Sequence, residues 1–285
     1  MKQRTLGQSV EINGIGLHSG CESKLVIKPA AENSGIVFVR SDLAENNYFP
    51  ARYANVVDTR NCTCLGNVSG QVVSTIEHIM SVLYILGIDN AEIEVNNPEV
   101  PIMDGSAKQI YEILKNAELV EQNAVRKYLQ LKKEVEFCDD KGNCIKLTPA
   151  KELRVNLTID FPSKIVGHQV FDGIISEEVF ASEIAPARTF CEKYQVDYLR
   201  SIGLIKGGSL DNAVVLDGEI ILNEGGFRVE NECVKHKTLD CIGDMYTSGH
   251  FLRAAVTASH TGHFHNNEVL KKLFADGNNY EIVEE

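Results

Sequence analysis

Two segments far apart in the chain carry side chains that commonly bind a catalytic metal ion. Glu77 and His78 are adjacent in one segment, and His236 and Asp240 stand four residues apart in the other, with Asp244 four residues further on. A helix would place the last three on one face. If His78 reaches the same point, two imidazoles and one carboxylate leave a position free for water, as in hydrolytic zinc sites.

Each of these groups also has a simpler interpretation. Taken alone, Glu77 beside His78 fits a partly exposed helix face better than a metal site. His236 and Asp240 at helical spacing also occur as a plain surface pair. In the metal interpretation, Glu77 lies about 100° around the helix from His78, so its carboxylate can approach a water on the metal as a general base.

A third cluster, residues 259–267, contains three histidines in a connection that leads into a helix. A metal-dependent hydrolase needs a proton donor for the leaving group, and histidine suits that task near neutral pH. The spacing of His260, His263 and His265 does not single out one of them. Any one of the three could instead be a solvated or capping side chain.

Composition excludes several classes of protein. The chain has 285 residues, of which 44% are hydrophobic and 24% charged, as in an ordinary globular protein. A net charge of −12 without clustered Lys and Arg argues against a nucleic-acid partner. We find no signal peptide and no transmembrane segment in the sequence, and we predict a cytoplasmic protein without an obligate protein partner.

The eight cysteines form no Cys-x-x-Cys pair, and we predict that all of them are reduced thiols. Cys62 and Cys64 are the one close pair. Packing or pocket lining is the simpler interpretation of this pair, and a metal or redox role is the alternative.

The order of predicted elements is similar in the two halves of the chain. In the first half, strands precede a helix over 74–86, which Ser74 or Thr75 would cap and Gly87 would end. A strand over 91–95 and a helix from residue 105 or 106 to about residue 115 follow. In the second half, strands, the first of them predicted over 128–135, precede a helix over 233–248, and a strand over 252–258 and a helix over 266–275 follow. The pattern predicts an α+β fold with two similar halves, 1–123 and 124–285, each carrying one ligand helix. The ligands of the two halves can meet only if the two ligand helices face each other across the interface between the halves, and pockets commonly form at interfaces of this kind.

Seven motifs, in order, resemble the UDP-3-O-acyl-N-acetylglucosamine deacetylases, the zinc amidases of lipid A biosynthesis. The resemblance extends from about residue 3 to residue 270. It implies two β-α-α-β domains with the helices sandwiched between two sheets. The motifs are Gly14-Ile15-Gly16-Leu17-His18-Ser19-Gly20, Ser74-Thr75-Ile76-Glu77-His78, Pro101-Ile102-Met103-Asp104-Gly105-Ser106, Ala187-Arg188-Thr189-Phe190, Gly207-Gly208-Ser209, His236 to Asp244, and Gly262-His263.

The resemblance implies a role for each catalytic side chain. Glu77 falls on the general base and His263 on the general acid, with Asp244 orienting that histidine. Thr189 falls on the hydroxyl that helps to hold the oxyanion. The zinc ligands implied are His78, His236 and Asp240. Ferrous iron is the alternative metal, because His and carboxylate ligands suit both ions.

The substrate implied is a UDP-linked, acylated amino sugar. Lys237 matches a residue near its phosphates, Phe190 and His18 match residues that line the sugar and nucleotide site, and Cys62 matches a cysteine at the edge of the site. Gly208, in the Gly207-Gly208 turn, joins the predicted substrate-binding residues.

An insert in the second half, residues 194–205, matches the family's apolar passage for the acyl chain. Core packing would be the better interpretation without the resemblance. The apolar residues of this segment are Val196, Leu199, Ile202, Leu204 and Ile205. Two departures concern His265, which adds a titrating group beside His263, and the C-terminus, where we expect no fused dehydratase domain.

Two other functions are compatible with the same residues. A non-catalytic protein could bind a nucleotide sugar and a metal without releasing acetate. A thiol redox protein would depend on Cys62 and Cys64 and would keep its activity after chelation. The sequence leaves the acyl-chain length, the oligomeric state and the one-base or acid–base-pair mechanism open.

Overall fold

A computed structural model describes all residues from 1 to 285. Short strands dominate the first half of the chain. The strand predicted over 91–95 is confirmed, because alternate residues of this segment are buried. The ten strands are β1 Lys2–Leu6, β2 Val10–Ile15, β3 Glu22–Pro29, β4 Ile36–Arg40, β5 Tyr48–Pro50, β6 Val56–Asp58, β7 Cys64–Gly66, β8 Val72–Val73, β9 Ala91–Val95 and β10 Leu119–Val125.

The second half contributes another ten strands. The single strand predicted over 128–135 is wrong, since the chain leaves the sheet after Leu131 and forms a new strand at Val135. The strand over 168–174 was not predicted. The ten are β11 Lys127–Leu131, β12 Val135–Cys138, β13 Cys144–Pro149, β14 Arg154–Asp160, β15 His168–Ile174, β16 Phe190–Glu192, β17 Val214–Asp217, β18 Ile220–Ile221, β19 Phe251–Ser259 and β20 Tyr280–Glu284.

Six α-helices complete the fold, with a 3₁₀ turn at Tyr53–Asn55 and a π turn at Phe180–Ile184. None of the helices is both long and apolar enough to cross a membrane. The helices are α1 Glu77–Ile85, α2 Lys108–Lys115, α3 Glu177–Val179, α4 Lys193–Ser201, α5 Glu232–Tyr246 and α6 His263–Ala275.

Each half builds one main sheet, and the predicted α+β class is confirmed. The first sheet has the order β2-β3-β9-β4-β5, in which β9 pairs antiparallel with β3 and parallel with β4. In the second sheet, the long strand β19 pairs with β13 along one edge. It also pairs parallel with β11 near its start and parallel with β14 near its end.

The helices that carry the predicted ligands lie against each other inside this arrangement. Helix α5 contacts α1 on one side and strands β14, β15 and β19 on the other. A β-carbon on Gly243 would lie 1.9 Å from the main-chain oxygen of Glu77. Glycine at this position therefore lets α1 and α5 approach closely at the point where their polar residues meet.

A single apolar core connects the two halves. It contains 59 buried residues, including Ile79 and Leu83 of α1, Leu239 and Ile242 of α5, and apolar residues of both main sheets. Burial of this apolar surface is the main force that holds α1 against α5. The segment 121–124, which contains the predicted boundary between the halves, lies in β10 and pairs with β1.

The predicted cap of α1 is wrong. The helix starts at Glu77 after Ile76, and no side chain caps it. Thr75 instead adopts a left-handed conformation with φ of 61°, and its hydroxyl donates to the carboxylate of Glu99. The end of this helix follows the prediction, since Gly87 has a positive φ of 65° just after the last turn.

The prediction that all cysteines are reduced is also wrong. Cys138 and Cys144 face each other on the antiparallel strands β12 and β13 and form a disulfide. The five intervening residues turn the chain back, so the pairing register brings the two sulfur atoms together, which sequence spacing did not indicate. The other six cysteines are free.

Candidate functional site

Three predicted metal ligands converge between α1 and α5. The Nε2 atoms of His78 and His236 lie 3.7 and 3.4 Å from Oδ1 of Asp240. All three residues are buried, and their ligand atoms lie within 4.8 Å of one another. The first turn of α1 supplies His78, whereas consecutive turns of α5 supply the other two, so packing of the two helices creates the set.

The oxygen at the centre of this set has no hydrogen-bond partner. Oδ1 of Asp240 is buried and unpaired, while Oδ2 accepts a hydrogen bond from Nζ of Lys237 at 3.0 Å. A buried carboxylate oxygen without a donor is costly unless a cation satisfies it. Two imidazole nitrogens that point at the same oxygen therefore fit a bound divalent cation.

Both imidazoles are set up as neutral ligands. Burial lowers the pKa of His78 to about 3, and it also lowers the pKa of His236. Nδ1 of His236 lies 3.1 Å from the main-chain oxygen of Ala187, which directs Nε2 toward Asp240. Such an outer contact fixes the tautomer and the orientation of a ligating histidine.

Glu77 lies beside this set without belonging to it. One of its carboxylate oxygens accepts a hydrogen bond from the main-chain N–H of Thr63 at 3.0 Å, and the residue is buried. Burial raises the pKa of Glu77 to about 8, and the neighbouring carboxylates of Asp240 and Asp244 add to this effect. A carboxylate with a raised pKa has a stronger affinity for a proton, as a general base requires.

His263 faces Glu77 and Asp240 from the start of α6. Its Nδ1 lies 2.8 Å from Oδ2 of Asp244, and its Nε2 lies 4.0 Å from Oδ2 of Asp240. Burial disfavours the protonated ring, but the Asp244 carboxylate outweighs this effect and raises the pKa of His263 to about 9. The ring therefore stays charged near neutral pH and can donate a proton from Nε2.

The polar centre opens into a large cavity of about 1140 Å³. Phe161 contacts Phe190 on one wall, and the insert helix α4 forms another. The predicted substrate-binding residues that line this cavity are His18, Phe190, Val196, Ile205, Gly208 and Lys237. A cavity of this size holds a ligand much larger than the acetamide at which the chemistry would occur.

A smaller cavity, of about 30 Å³, lies where the catalytic side chains meet. Its walls include Glu77, His78, Asp240 and His263, and Thr189 lines both this cavity and the larger one. The position of Thr189 is fixed because its main-chain N–H donates to Gly105 at 2.8 Å. Thr189 thus lies between the polar centre and the substrate cavity.

One predicted residue and two of the three histidines lie apart from the cavities. Cys62 is buried behind the site and lines neither cavity, and burial raises the pKa of its thiol. His260 is exposed and contacts Ser259. His265 points away from His263 and contacts Asp139 at 3.1 Å, so of the three histidines only His263 reaches the centre.

Several supporting residues escaped prediction. The hydroxyl of Thr63 donates to Asp244 at 2.5 Å, and the Asn266 amide donates to the same carboxylate at 2.8 Å. Arg188 and Glu232 form a buried ion pair at 2.8 Å, next to Thr189 and at the start of α5. Of these residues, only Arg188 lies in one of the seven family motifs. The sequence spacing of Thr63, Asn266 and Glu232 did not link them to the site.

Two imidazoles and a carboxylate lie on two packed helices, flanked by a buried glutamate and a charged histidine, and they match the donor set of a hydrolytic metal centre. The family model described as UDP-3-O-acyl N-acetylglycosamine deacetylase matches residues 3–275. The chain therefore belongs to this family, and the resemblance found in the sequence is confirmed.

Curated relatives agree with this assignment. A UDP-3-O-acyl-N-acetylglucosamine deacetylase of Nitratiruptor sp. is 46% identical over 284 residues, which cover 100% of this chain and 94% of the relative. The proteins of the same name from Pasteurella multocida and Helicobacter pylori are each 43% identical. Both alignments cover 99% of this chain, and they cover 93% and 95% of the respective relative.

Proposed function

We propose that this protein is a zinc-dependent amidase that removes the N-acetyl group of UDP-3-O-acyl-N-acetylglucosamine and releases acetate in lipid A biosynthesis. The unpaired, buried Oδ1 of Asp240, which faces two imidazole nitrogens, is the observation on which the proposal rests. Family membership and the names of the relatives support the substrate.

His78, His236 and Asp240 would hold the cation. A divalent cation at that point would supply positive charge that polarises the amide carbonyl and makes an attacking water more acidic. Glu77 is oriented by Thr63 and would accept the proton of that water. The raised pKa of Glu77 favours this proton transfer.

The other protein groups would act on the charges that develop next. The Thr189 hydroxyl, at the junction of the two cavities, would donate a hydrogen bond to the oxyanion. His263, kept protonated by Asp244, would donate its proton to the departing amine nitrogen. An amine leaves poorly without this proton, so the histidine completes the cleavage of the C–N bond.

The large cavity would hold the remainder of the substrate. Phe190 and His18 would contact the sugar and nucleotide, and Lys237, which lines the cavity, would contact a phosphate. Val196 and Ile205, with Gly208, would form part of the wall around the acyl chain. Cys62, which is buried close to Thr75 and Glu77, would stand at the edge of the site.

We also propose the domain organisation and the location. Residues 1–123 and 124–285 would form two halves, and each half supplies one of the helices that meet at the metal. Six free thiols are consistent with a reducing compartment, which supports a cytoplasmic location despite the Cys138–Cys144 disulfide.

The direct test compares the wild-type protein with His78→Ala. The wild type should bind one zinc ion per chain and release acetate from the acylated nucleotide sugar, and the variant should lose both properties together. Full acetate release by His78→Ala, or wild-type activity after complete removal of metal by a chelator, would reject the proposal. Reloading with zinc or ferrous iron distinguishes the two metals.

A further inference from the structure

The Glu99 carboxylate is buried near the site but belongs to none of the groups assigned above. Only 1% of the residue is exposed. Its two oxygens accept hydrogen bonds from the main-chain N–H groups of His18 at 2.8 Å and Ser19 at 2.7 Å, and from the hydroxyl of Thr75 at 3.0 Å. Hydrogen bonds to a charged acceptor are stronger than those to a neutral one, so these contacts hold the donors firmly.

The loop over residues 16–20 is built around this carboxylate. A β-carbon on Gly16 would lie 2.4 Å from Oε2 of Glu99, so the carboxylate needs glycine at that position. The N–H of Gly20 donates back to the oxygen of Gly16 at 3.0 Å and closes the turn. His18 is 92% buried at the cavity wall, and neither ring nitrogen has a hydrogen-bond partner.

The same loop also holds a segment of the second half. The N–H groups of Lys206 and Gly207 donate to the main-chain oxygens of His18 at 3.2 Å and Leu17 at 3.1 Å. The neighbours of this pair, Ile205 and Gly208, line the large cavity. Glu99 is thus connected, through one loop, to cavity walls contributed by both halves.

We propose that Glu99 is a positioning residue for substrate binding. Its carboxylate fixes the loop 16–20, and the loop places the His18 ring and segment 205–208 around the substrate. The inference rests on the proposed function for the identity of that substrate. The metal ligands do not depend on this contact, because fully buried Ile79, Met80 and Leu83 anchor α1 in the core.

The test is Glu99→Gln, which keeps the size of the side chain. The new amide has one acceptor oxygen, and its NH₂ group would face a main-chain N–H. We expect KM for the acylated nucleotide sugar to rise roughly tenfold, which corresponds to about 1.4 kcal/mol of lost binding. We expect zinc content and kcat to stay within about twofold of wild type. Glu94→Gln is the matched control, because Glu94 lies on β9 and pairs with Lys28.

A second readout does not require activity. Hydrogen exchange of the His18 and Ser19 amides should be faster in Glu99→Gln than in the wild type, and unchanged in Glu94→Gln. If the wild type itself releases no acetate, the proposed function fails, while this measurement still tests the placement of the loop.

Two results would overturn the inference. One is a folded Glu99→Gln protein with wild-type KM and wild-type amide exchange. The other is a loss of zinc in proportion to the rise in KM, which would show that Glu99 supports the metal ligands instead. If Glu99→Gln does not fold, Gly16→Ala is measured in the same assays, because its methyl group would lie 2.3 Å from Oγ of Ser19 and 2.4 Å from Oε2 of Glu99 and must disturb the contact between the loop and the carboxylate.

Discussion

The proposed metal site, here called the metal corner, and the proposed wall of the acyl-chain passage, here called the acyl wall, are built in opposite ways. At the metal corner, the side chains of His78, His236 and Asp240 are each no more than 5% exposed. In the acyl wall, which comprises α4 and the residues to Ile205, no residue of the helix is buried. The first region depends on fixed distances between two neutral imidazoles and one carboxylate. The second presents apolar side chains that the protein itself does not bury and that can contact a ligand, so full burial is found in the part that performs chemistry.

Glu77→Gln, which alters the metal corner, should have the largest effect on kcat. The amide keeps the contact with Thr63 but cannot accept the proton, so we expect kcat to fall about a hundredfold or more. Zinc content should remain at one ion per chain, because Glu77 is not among the proposed ligands. Loss of zinc together with activity would show that Glu77 binds the metal and would contradict its role as a base.

Asp244→Asn should have the next largest effect. Removing the carboxylate removes the group that keeps His263 protonated, and we expect kcat to fall roughly tenfold to a hundredfold. The matched control is Asp139→Asn, which alters the other His–Asp pair of α6, between Asp139 and His265. Equal losses of kcat in the two variants would mean that both act through the stability of α6 and not through proton donation.

Gly243→Ala tests whether contact between the helices creates the metal corner. The added methyl group would lie 1.9 Å from the Glu77 main-chain oxygen and would force α1 and α5 apart. We expect a lower melting temperature, equivalent to about 1–3 kcal/mol, and weaker zinc binding. Gly277→Ala is the control, since a methyl group there meets nothing within 4 Å. If the Gly243→Ala protein is destabilised but binds zinc with unchanged affinity, contact between the two helices does not create the metal corner.

The smallest effect should come from the acyl wall. Leu199→Ala should raise KM for a long-chain substrate roughly tenfold through lost apolar contact, with zinc content and kcat unchanged. KM for a short-chain analogue should not change. Tyr194→Ala is the control, because Tyr194 is 78% exposed and does not line the cavity. Equal effects of Leu199→Ala on both substrates would contradict the assignment of this wall to the acyl chain.

The sequence indicated the site better than it indicated the supporting structure. Four-residue spacing on one helix was enough to suggest His236 and Asp240 as partners, and the structure brings His78 to the same point. Spacing could not reveal Thr63 or Asn266, because their contacts with Asp244 depend on tertiary packing between remote elements. The family resemblance selected His263 among three histidines, a choice that local sequence left open.

The errors in the fold have similar causes. The strand predicted over 128–135 contained enough apolar residues for one element, but pairing with β19 ends at Gln130. Thr75 was a reasonable helix cap by residue type, yet its hydroxyl is used by Glu99. The disulfide between Cys138 and Cys144 depends on the register of a hairpin. In each case, a partner distant in sequence decided the local conformation.

Anomalous X-ray diffraction at the zinc edge, from crystals of the metal-loaded protein, tests the central claim most directly. We predict one strong peak within bonding distance of Nε2 of His78, Nε2 of His236 and Oδ1 of Asp240, with Oδ2 still paired to Lys237. A peak elsewhere, or a fully loaded protein in which one of these three atoms lies beyond bonding distance of the metal, would contradict the account.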